Sequence, residues 1–159
     1  LHIAFAPTKK LDRMEWFVEK ATEIGIDTFS PLNCRYSERK HINAARLEKI
    51  MVSAMKQSQK CRLPQFDEMI KFDAFIKQPF EGQKFIAHCY DSPKETLSQI
   101  CRKDTDTLIL IGPEGDFSEE EVAKSIKYGF TPISLGESRL RTETAALVAC
   151  HTVQLINQL

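Results

Sequence analysis

The chain alternates between two kinds of apolar pattern. Short runs rich in β-branched and aromatic residues predict buried strands at residues 2–6, 28–32, 66–70, 84–89 and 108–111, with one more before residue 135. Between these runs, apolar residues recur at three- and four-residue spacing, which predicts amphipathic helices. This alternation predicts an α/β fold with a mainly parallel sheet and helices on both of its faces.

The predicted helices differ in how much apolar surface they carry. The first ends at Gly25, a typical C-cap, and residues 42–60 form a long helix with a single apolar stripe. A short helix is predicted over residues 72–77, and another from Ser92 to about residue 103. The last helix, residues 143–158, is apolar on several sides. Since one sheet face would not bury all of that surface, we expect a second copy of the chain to cover it.

Two consecutive strand-loop-helix units dominate the second half of the chain. In the first, Gly112 and Gly115 lie in the loop, and Ser118 with Glu121 forms a capping box that begins a helix. In the second, Gly136 lies in the loop and Thr142 is placed to cap the last helix. Ligands of open α/β sheets bind at the carboxyl ends of the strands, so the two adjacent loops predict a pocket.

The first loop indicates what kind of ligand this pocket takes. Three consecutive carboxylates, residues 119–121, occupy the first turn of the helix, where they would repel a bound phosphate. Neither phosphate-binding glycine motif is present. We therefore expect a neutral or cationic ligand, approached closely by the backbone because Gly112 and Gly115 lack a Cβ.

Composition narrows the class of protein without identifying it. The 159 residues, 42% hydrophobic and 28% charged, suit one globular domain. No apolar run approaches the ~20 residues of a membrane span, and no signal peptide opens the chain. Five scattered cysteines without a C-x-x-C motif predict reduced thiols in a cytoplasmic protein rather than disulfides or a metal site, with a catalytic cysteine as the less favoured alternative.

Charge is distributed unevenly along the chain. Residues 1–62 hold 12 Lys and Arg against 7 Asp and Glu, a net charge of +5. Residues 63–159 hold 10 against 15, a net charge of −5. Such asymmetry favours nucleic acid as a partner of the first part, although solvated helix faces would produce the same counts. The basic loop of residues 34–41, with one tyrosine, suits RNA as well.

The two loops together resemble a known family, the ribosomal RNA small-subunit methyltransferase E family of trefoil-knotted SPOUT methyltransferases. The shared residues are Gly112, Pro113, Glu114, Gly115, Phe117, Ser118, Leu135, Gly136 and the run from Leu140 through Arg141, Thr142, Glu143 and Thr144 to Ala145. Earlier matches are residues 20–25, Pro31, Arg35, residues 57–58, Arg62 and Pro64. Two positions depart from the family pattern: Asp116 replaces a usual glycine, and Ser138-Arg139 replaces a usual Arg-Ile.

The resemblance implies an activity and an assembly. It implies transfer of a methyl group from S-adenosylmethionine to N3 of a uridine in small-subunit rRNA, by a homodimer with a C-terminal trefoil knot. It also implies that the family's N-terminal β-barrel RNA-binding domain is missing from this single-domain chain. A SPOUT enzyme that methylates a ribose hydroxyl or another base, and an RNA-binding module without activity, stay as alternatives.

Residue roles follow from the loops and the resemblance together. We expect Arg141 to stabilise the anion that develops on the uracil ring, and Glu143 to take its proton. The expected cofactor-binding residues are His88, Ile111, Gly112, Gly115, Leu135, Gly136, Leu140, Thr144 and Ala145. The expected RNA-binding residues are Lys10, Arg13, Lys20, Arg35, Arg39 and Arg139. No metal is expected.

Overall fold

The computed structural model describes all 159 residues, in eight strands and six helices. The strands are β1 His2–Phe5, β2 Thr28–Asn33, β3 Gln65–Phe66, β4 Ile70–Lys71, β5 Gln83–Ala87, β6 Glu95–Thr96, β7 Thr107–Ile111 and β8 Thr131–Ser134. The helices are α1 Leu11–Ile24, α2 Ala44–Gln57, α3 Phe72–Phe75, α4 Leu97–Ile100, α5 Glu119–Lys127 and α6 Thr142–Gln158.

All strands belong to one sheet in which every pairing is parallel. The strand order is β3-β2-β1-β7-β5-β8-β6, and β4 pairs with the far end of β2. The predicted α/β fold with a mainly parallel sheet is therefore confirmed. The trefoil knot stays a prediction from the resemblance.

Helices cover both faces of the sheet, as predicted. In β7, Ile109 and Ile111 face a core layer that includes residues of α1, α2 and α6. Leu108 and Leu110 face the opposite layer, which includes residues of α3 and α5. Because successive side chains of a strand point to opposite faces, burial on both sides requires the continuous apolar run that the sequence shows here.

Three predicted elements have different bounds in the structure. The strand predicted over residues 66–70 is two short strands, β3 and β4, and between them the Asp67 carboxylate accepts a hydrogen bond from the buried Ser30 hydroxyl. The helix predicted from Ser92 begins only at Leu97. Its N-cap residue is Thr96, which forms a capping box with Gln99. The long helix α2 is shorter than predicted, since Asn43 caps its start by accepting from the Arg46 N–H at 3.2 Å.

The last helix, α6, packs against α1, α4 and two central strands of the sheet. Contacts within the chain therefore cover part of the apolar surface that the sequence assigned to a second copy. Leu155 remains 45% exposed on this helix. No helix in the structure combines the length and the apolar character needed to cross a membrane.

Candidate functional site

A cavity of about 550 Å³ lies at the carboxyl ends of β5, β7 and β8. It is formed by the loops that follow these three strands and by the start of α6. A cavity of this size suits a small organic ligand. The sequence led us to expect that the two glycine loops follow neighbouring strands. They do not, because β5 lies between β7 and β8. The loops meet across the end of β5.

Most of the predicted cofactor and arginine positions line this cavity. They are His88, Ile111, Gly112, Leu135, Gly136, Arg139, Leu140, Arg141 and Ala145. Gly115 and Thr144 are not among the lining residues. Sequence reasoning did not select several residues that do line it, namely Cys89, Lys94, Glu114, Asp116, Ile133 and Glu137. Lys94 lies in an irregular segment without a motif, so no local signal marked it.

The first loop, residues 112–118, is packed against the protein itself. A Cβ on Gly112 would lie 3.0 Å from the Phe117 backbone nitrogen. A Cβ on Gly115 would lie 3.2 Å from the Cβ of Tyr36. The space that these glycines leave is therefore used by Phe117 and Tyr36. Gly112 nevertheless lines the cavity, so close approach of a ligand to its backbone stays a prediction.

Hydrogen bonds hold the first loop from three directions. The predicted capping box is present: the Ser118 N–H donates to Glu121 Oε2 at 2.8 Å, and the Glu121 N–H donates to Ser118 Oγ at 3.1 Å. Glu121 Oε1 also accepts from the Arg35 N–H at 2.8 Å. Glu114 accepts from the Lys9 N–H at 2.8 Å. The local capping box and two segments distant in sequence, at Lys9 and Arg35, thus position this loop.

The second loop, residues 135–141, is far more open. Gly136 has φ of +126°, a conformation that strongly favours glycine, and a Cβ there would meet no atom within 4 Å. Residues 136–139 are exposed. This glycine therefore provides backbone freedom and leaves the space around it empty.

Thr142 does not cap α6, which corrects the sequence prediction. The N-cap residue is Arg141, and no side chain bonds the cap. The buried Thr142 hydroxyl instead donates to the Gly112 carbonyl at 2.9 Å. The hydroxyl thus donates to a distant carbonyl instead of accepting from an N–H of its own helix, and the bond ties the second loop to the first.

The charged residues of the cavity are largely unpaired. Glu114, Asp116 and Glu137 line it together with Arg139 and Arg141. None of these five side chains takes part in an ion pair of the structure. The cavity therefore offers both negative and positive groups to a ligand that carries both charges.

His88 and Lys94 line the cavity after β5. Lys94 Nζ donates to the carbonyl oxygens of His88, at 3.1 Å, and of Tyr90. Burial, and then the Lys94 ammonium, lower the pKa of His88 below its ordinary value, and Asp116 opposes this shift. At neutral pH the imidazole is therefore neutral and the positive charge here is that of Lys94.

Glu143 lies outside the cavity lining, next to Arg13. Its side chain is buried, and Oε1 lies 3.7 Å from Arg13 Nε. Its other carboxylate oxygen is the one buried side-chain polar atom of the structure without a hydrogen-bond partner. The helix turns by about 100° per residue, so Glu143 points away from the side on which Thr142 and Ala145 line the cavity.

The predicted RNA-binding residues fall into two groups. Lys10 and Arg35 are exposed near the carboxyl edge of the sheet, where Arg39 donates to the carbonyl oxygens of Thr8, at 2.9 Å, and Lys9. Lys20 lies about 10 Å further along α1 from Arg13. Its ammonium pairs with Glu19 at 2.8 Å and Glu23 at 3.2 Å. The structure does not bring Lys20 together with the others.

The fold and the cavity together define the class of protein. It is a parallel α/β protein with a small-ligand cavity at the carboxyl edge of its sheet. The family model described as the RNA methyltransferase domain matches residues 1–154, and the chain belongs to that family.

Individual relatives agree. The chain is 35% identical to the ribosomal RNA small subunit methyltransferase E of Buchnera aphidicola, over 97% of this chain and 63% of that protein. A probable rRNA-methyltransferase from Porphyromonas gingivalis superposes with a TM-score of 0.94 at 45% identity, over 99% of this chain and 67% of that one.

A putative methyltransferase from Legionella pneumophila, solved in complex with the cofactor SAM, superposes with a TM-score of 0.87 at 32% identity. The match covers 97% of this chain and 65% of that one. The resemblance drawn from the loop residues is thus confirmed. The chain spans less than two thirds of the length of the Buchnera relative.

Proposed function

We propose that this chain binds S-adenosylmethionine in the cavity at the ends of β5, β7 and β8, and that it methylates N3 of a uridine in small-subunit rRNA. The observation that carries the proposal is the cavity itself, which is built from the loop residues that the chain shares with the small-subunit methyltransferase E family. The methyl-donor-bound Legionella structure, at 32% identity, supports the choice of cofactor.

The residues of the cavity fit this cofactor. Its adenine needs apolar surface, which Leu135, Leu140 and Ala145 offer on the side of the second loop and α6. Its amino-acid end carries an ammonium and a carboxylate, and its sulfur carries a positive charge. Unpaired acidic and basic side chains both line the cavity. A purely basic lining would suit a phosphate ligand, but the carboxylates of Glu114, Asp116 and Glu137 in this lining would repel one.

When bound, S-adenosylmethionine supplies a methyl group that is already activated by the sulfonium. The protein's task is then to orient the uracil and to help its ring N–H lose a proton. Arg141 lines the cavity and has no carboxylate partner in the structure. Its guanidinium can therefore donate to a uracil carbonyl oxygen and stabilise the negative charge that develops as the N3 proton leaves.

The role of Glu143 as proton acceptor stays a prediction. Its carboxylate is buried beside Arg13 and is not among the lining residues of the cavity. Oε1 lies 3.7 Å from Arg13 Nε, and we expect the main contribution of Glu143 to be the position of Arg13 on α1.

Lys10, Arg35 and Arg139 are proposed contacts for the RNA backbone, since they are exposed at the same edge of the sheet. Arg39 and Arg13 are proposed to support this surface.

We further propose a homodimer, formed through the apolar part of α6 that α1 and α4 leave uncovered. We also propose a cytoplasmic location, because the proposed substrate is rRNA. Light scattering of the purified protein tests the dimer directly.

The test of the function is calorimetric titration with S-adenosylmethionine, together with methylation of small-subunit rRNA and identification of the modified nucleoside. Ala145→Leu adds bulk to the cavity lining from a regular helix and should weaken binding about tenfold or more. The matched control is Ala123→Leu, the same change at an exposed position of α5. The control should bind like the unchanged protein.

The outcomes separate the alternatives. Saturable binding that Ala145→Leu weakens, with 3-methyluridine as product, supports the proposal. A 2′-O-methylated nucleoside or another methylated base would show that the cofactor is right and the acceptor wrong. Absence of binding by a folded protein would leave the RNA-binding module without activity as the better interpretation.

A further inference from the structure

Asp116 has an unusual position in the first loop. Its φ is +67°, in the left-handed region that few residues other than glycine, asparagine and aspartate adopt. Its Oδ1 accepts from the Phe117 N–H at 2.7 Å, and its Oδ2 accepts from the Cys89 N–H at 2.8 Å. The side chain therefore joins the loop after β7 to the loop after β5, and it lines the cavity.

The Asp116 carboxylate has no positive partner within the chain. Lys94 lines the same cavity, but its ammonium is hydrogen-bonded to the backbone of residues 88 and 90. His88 stays uncharged at neutral pH for the reasons given above. Asp116 appears in none of the ion pairs, and each oxygen has accepted a single backbone N–H, which leaves further acceptor capacity. An uncompensated anion at a cavity wall favours a ligand with positive charge.

We propose that Asp116 is a specificity-determining residue that makes the cavity prefer the positively charged methyl donor over its neutral product. This inference rests on the proposed function. Methyl transfer breaks the bond between the methyl carbon and sulfur, forms the bond from that carbon to N3, and leaves the electron pair on sulfur. The sulfonium charge is thereby lost, and the product S-adenosylhomocysteine differs from the donor by one charge and one methyl group. A fixed carboxylate in the cavity stabilises the charged donor, S-adenosylmethionine, and has little effect on the neutral sulfur of S-adenosylhomocysteine.

Its two hydrogen bonds explain why the charge can act selectively. A carboxylate held by two backbone N–H groups on separate loops does not swing away when the ligand changes. Its attraction for the donor therefore requires little rearrangement, as for other preorganised polar groups. Glu114, the other acidic residue of this loop, is more exposed and bonds the Lys9 N–H away from β5. We assign the discrimination to Asp116 for this reason.

The test measures the ratio of the dissociation constants of S-adenosylhomocysteine and S-adenosylmethionine by calorimetry on the same protein sample. Asp116→Asn keeps the size and the tolerance of left-handed φ but removes the charge. We expect the ratio to fall about tenfold, equivalent to about 1.4 kcal/mol, through weaker donor binding. Asp116→Gly, free of backbone strain at this φ, should shift the ratio by a similar factor. Because each ratio comes from one sample, a partly inactive preparation does not alter it.

Glu119→Gln is the matched control, since it removes a neighbouring carboxylate that is exposed and does not line the cavity. It should leave the ratio unchanged. If the Asp116 variants weaken both ligands equally, or change neither, the carboxylate only braces the two loops and the inference is wrong. If the unchanged protein binds neither ligand, the proposed function itself fails, and this outcome is distinct from the first.

Discussion

The first and second loops share one arrangement in the sequence, a glycine loop between an apolar strand and a helix, but they have different surroundings. Residues 112–118 are held by Phe117, Tyr36 and the capping box, and by hydrogen bonds with the backbone of Lys9, Arg35 and Cys89. Residues 135–141 are mostly exposed, and their link to the rest of the cavity runs through the single hydrogen bond of Thr142 that follows them. The comparison teaches that a glycine loop at the edge of a parallel sheet can be closely packed or largely exposed, and that its neighbours from other parts of the chain decide which.

The largest expected difference between the loops lies at their glycines. Gly112→Ala places a Cβ against backbone and ring atoms of Phe117, so we expect unfolding in urea to require about 3 kcal/mol less free energy. Gly136→Ala meets no atoms, so the loss in free energy of unfolding comes only from strain at its positive φ and should be about 1–2 kcal/mol. Equal losses of stability in the two variants would contradict the difference in packing between the two loops.

Arg141 should separate function from stability. Because its side chain makes no capping bond and no ion pair, Arg141→Ala should change the free energy of unfolding by less than about 0.5 kcal/mol. Methyl transfer to rRNA should fall about 100-fold, as when one donor that stabilises a developing anion is removed. Arg141→Lys, which keeps the charge, should retain part of the rate. Full activity of Arg141→Ala would remove it from the proposed mechanism.

Thr142 connects the two loops, and its hydroxyl can be removed without changing the shape of the side chain. Thr142→Val leaves the Gly112 carbonyl without this donor in a buried place, which should cost about 1–2 kcal/mol in urea unfolding. Affinity for S-adenosylmethionine should fall as well, since the second loop loses its anchor. Thr142→Ser keeps the hydroxyl and serves as the control. Equal stability of the Val and Ser variants would show that the bond contributes nothing.

The smallest expected effect is a pH dependence at His88, which lies between the two loops. Its pKa is lowered below the model-peptide value of 6.5, so the ring is neutral above that pH and gains a proton only below it. The added charge would oppose a cationic ligand and would pair with Asp116. We therefore expect affinity for S-adenosylmethionine to be constant from about pH 7.5 to 6.5 and to fall a few-fold once the pH is low enough to protonate the ring.

The stability of the folded chain should also fall as the pH is lowered. The unfolded chain binds the His88 proton at a higher pH than the folded chain, so His88 adds stability above about pH 6.5 and this contribution is lost as the pH falls toward its folded pKa. His88→Gln should flatten both pH profiles, which calorimetry and urea unfolding would measure. An unchanged profile in this variant would assign the pH dependence to another group.

Local signals in the sequence were sufficient for much of the fold. The apolar run of β7, the C-cap at Gly25 and the capping box of Ser118 and Glu121 each depend on residues within a few positions of one another. The weaker elements were not predictable in the same way. The two-residue strands β3, β4 and β6 form only because β2 and β8 offer them an edge to pair with.

The sequence by itself determined the parallel α/β class, the carboxyl-edge location of the cavity and nine of its twenty lining residues, because hydrophobic period, capping and glycine loops are local properties. The tertiary structure alone decided that β5 separates the two loops, and that Thr142 bonds Gly112 instead of capping its helix. It also placed Glu143 beside Arg13 and Asp116 against Cys89. The reason is physical: the partner of a buried polar group is whichever donor or acceptor the packed chain brings within 3 Å, and sequence distance does not limit that choice.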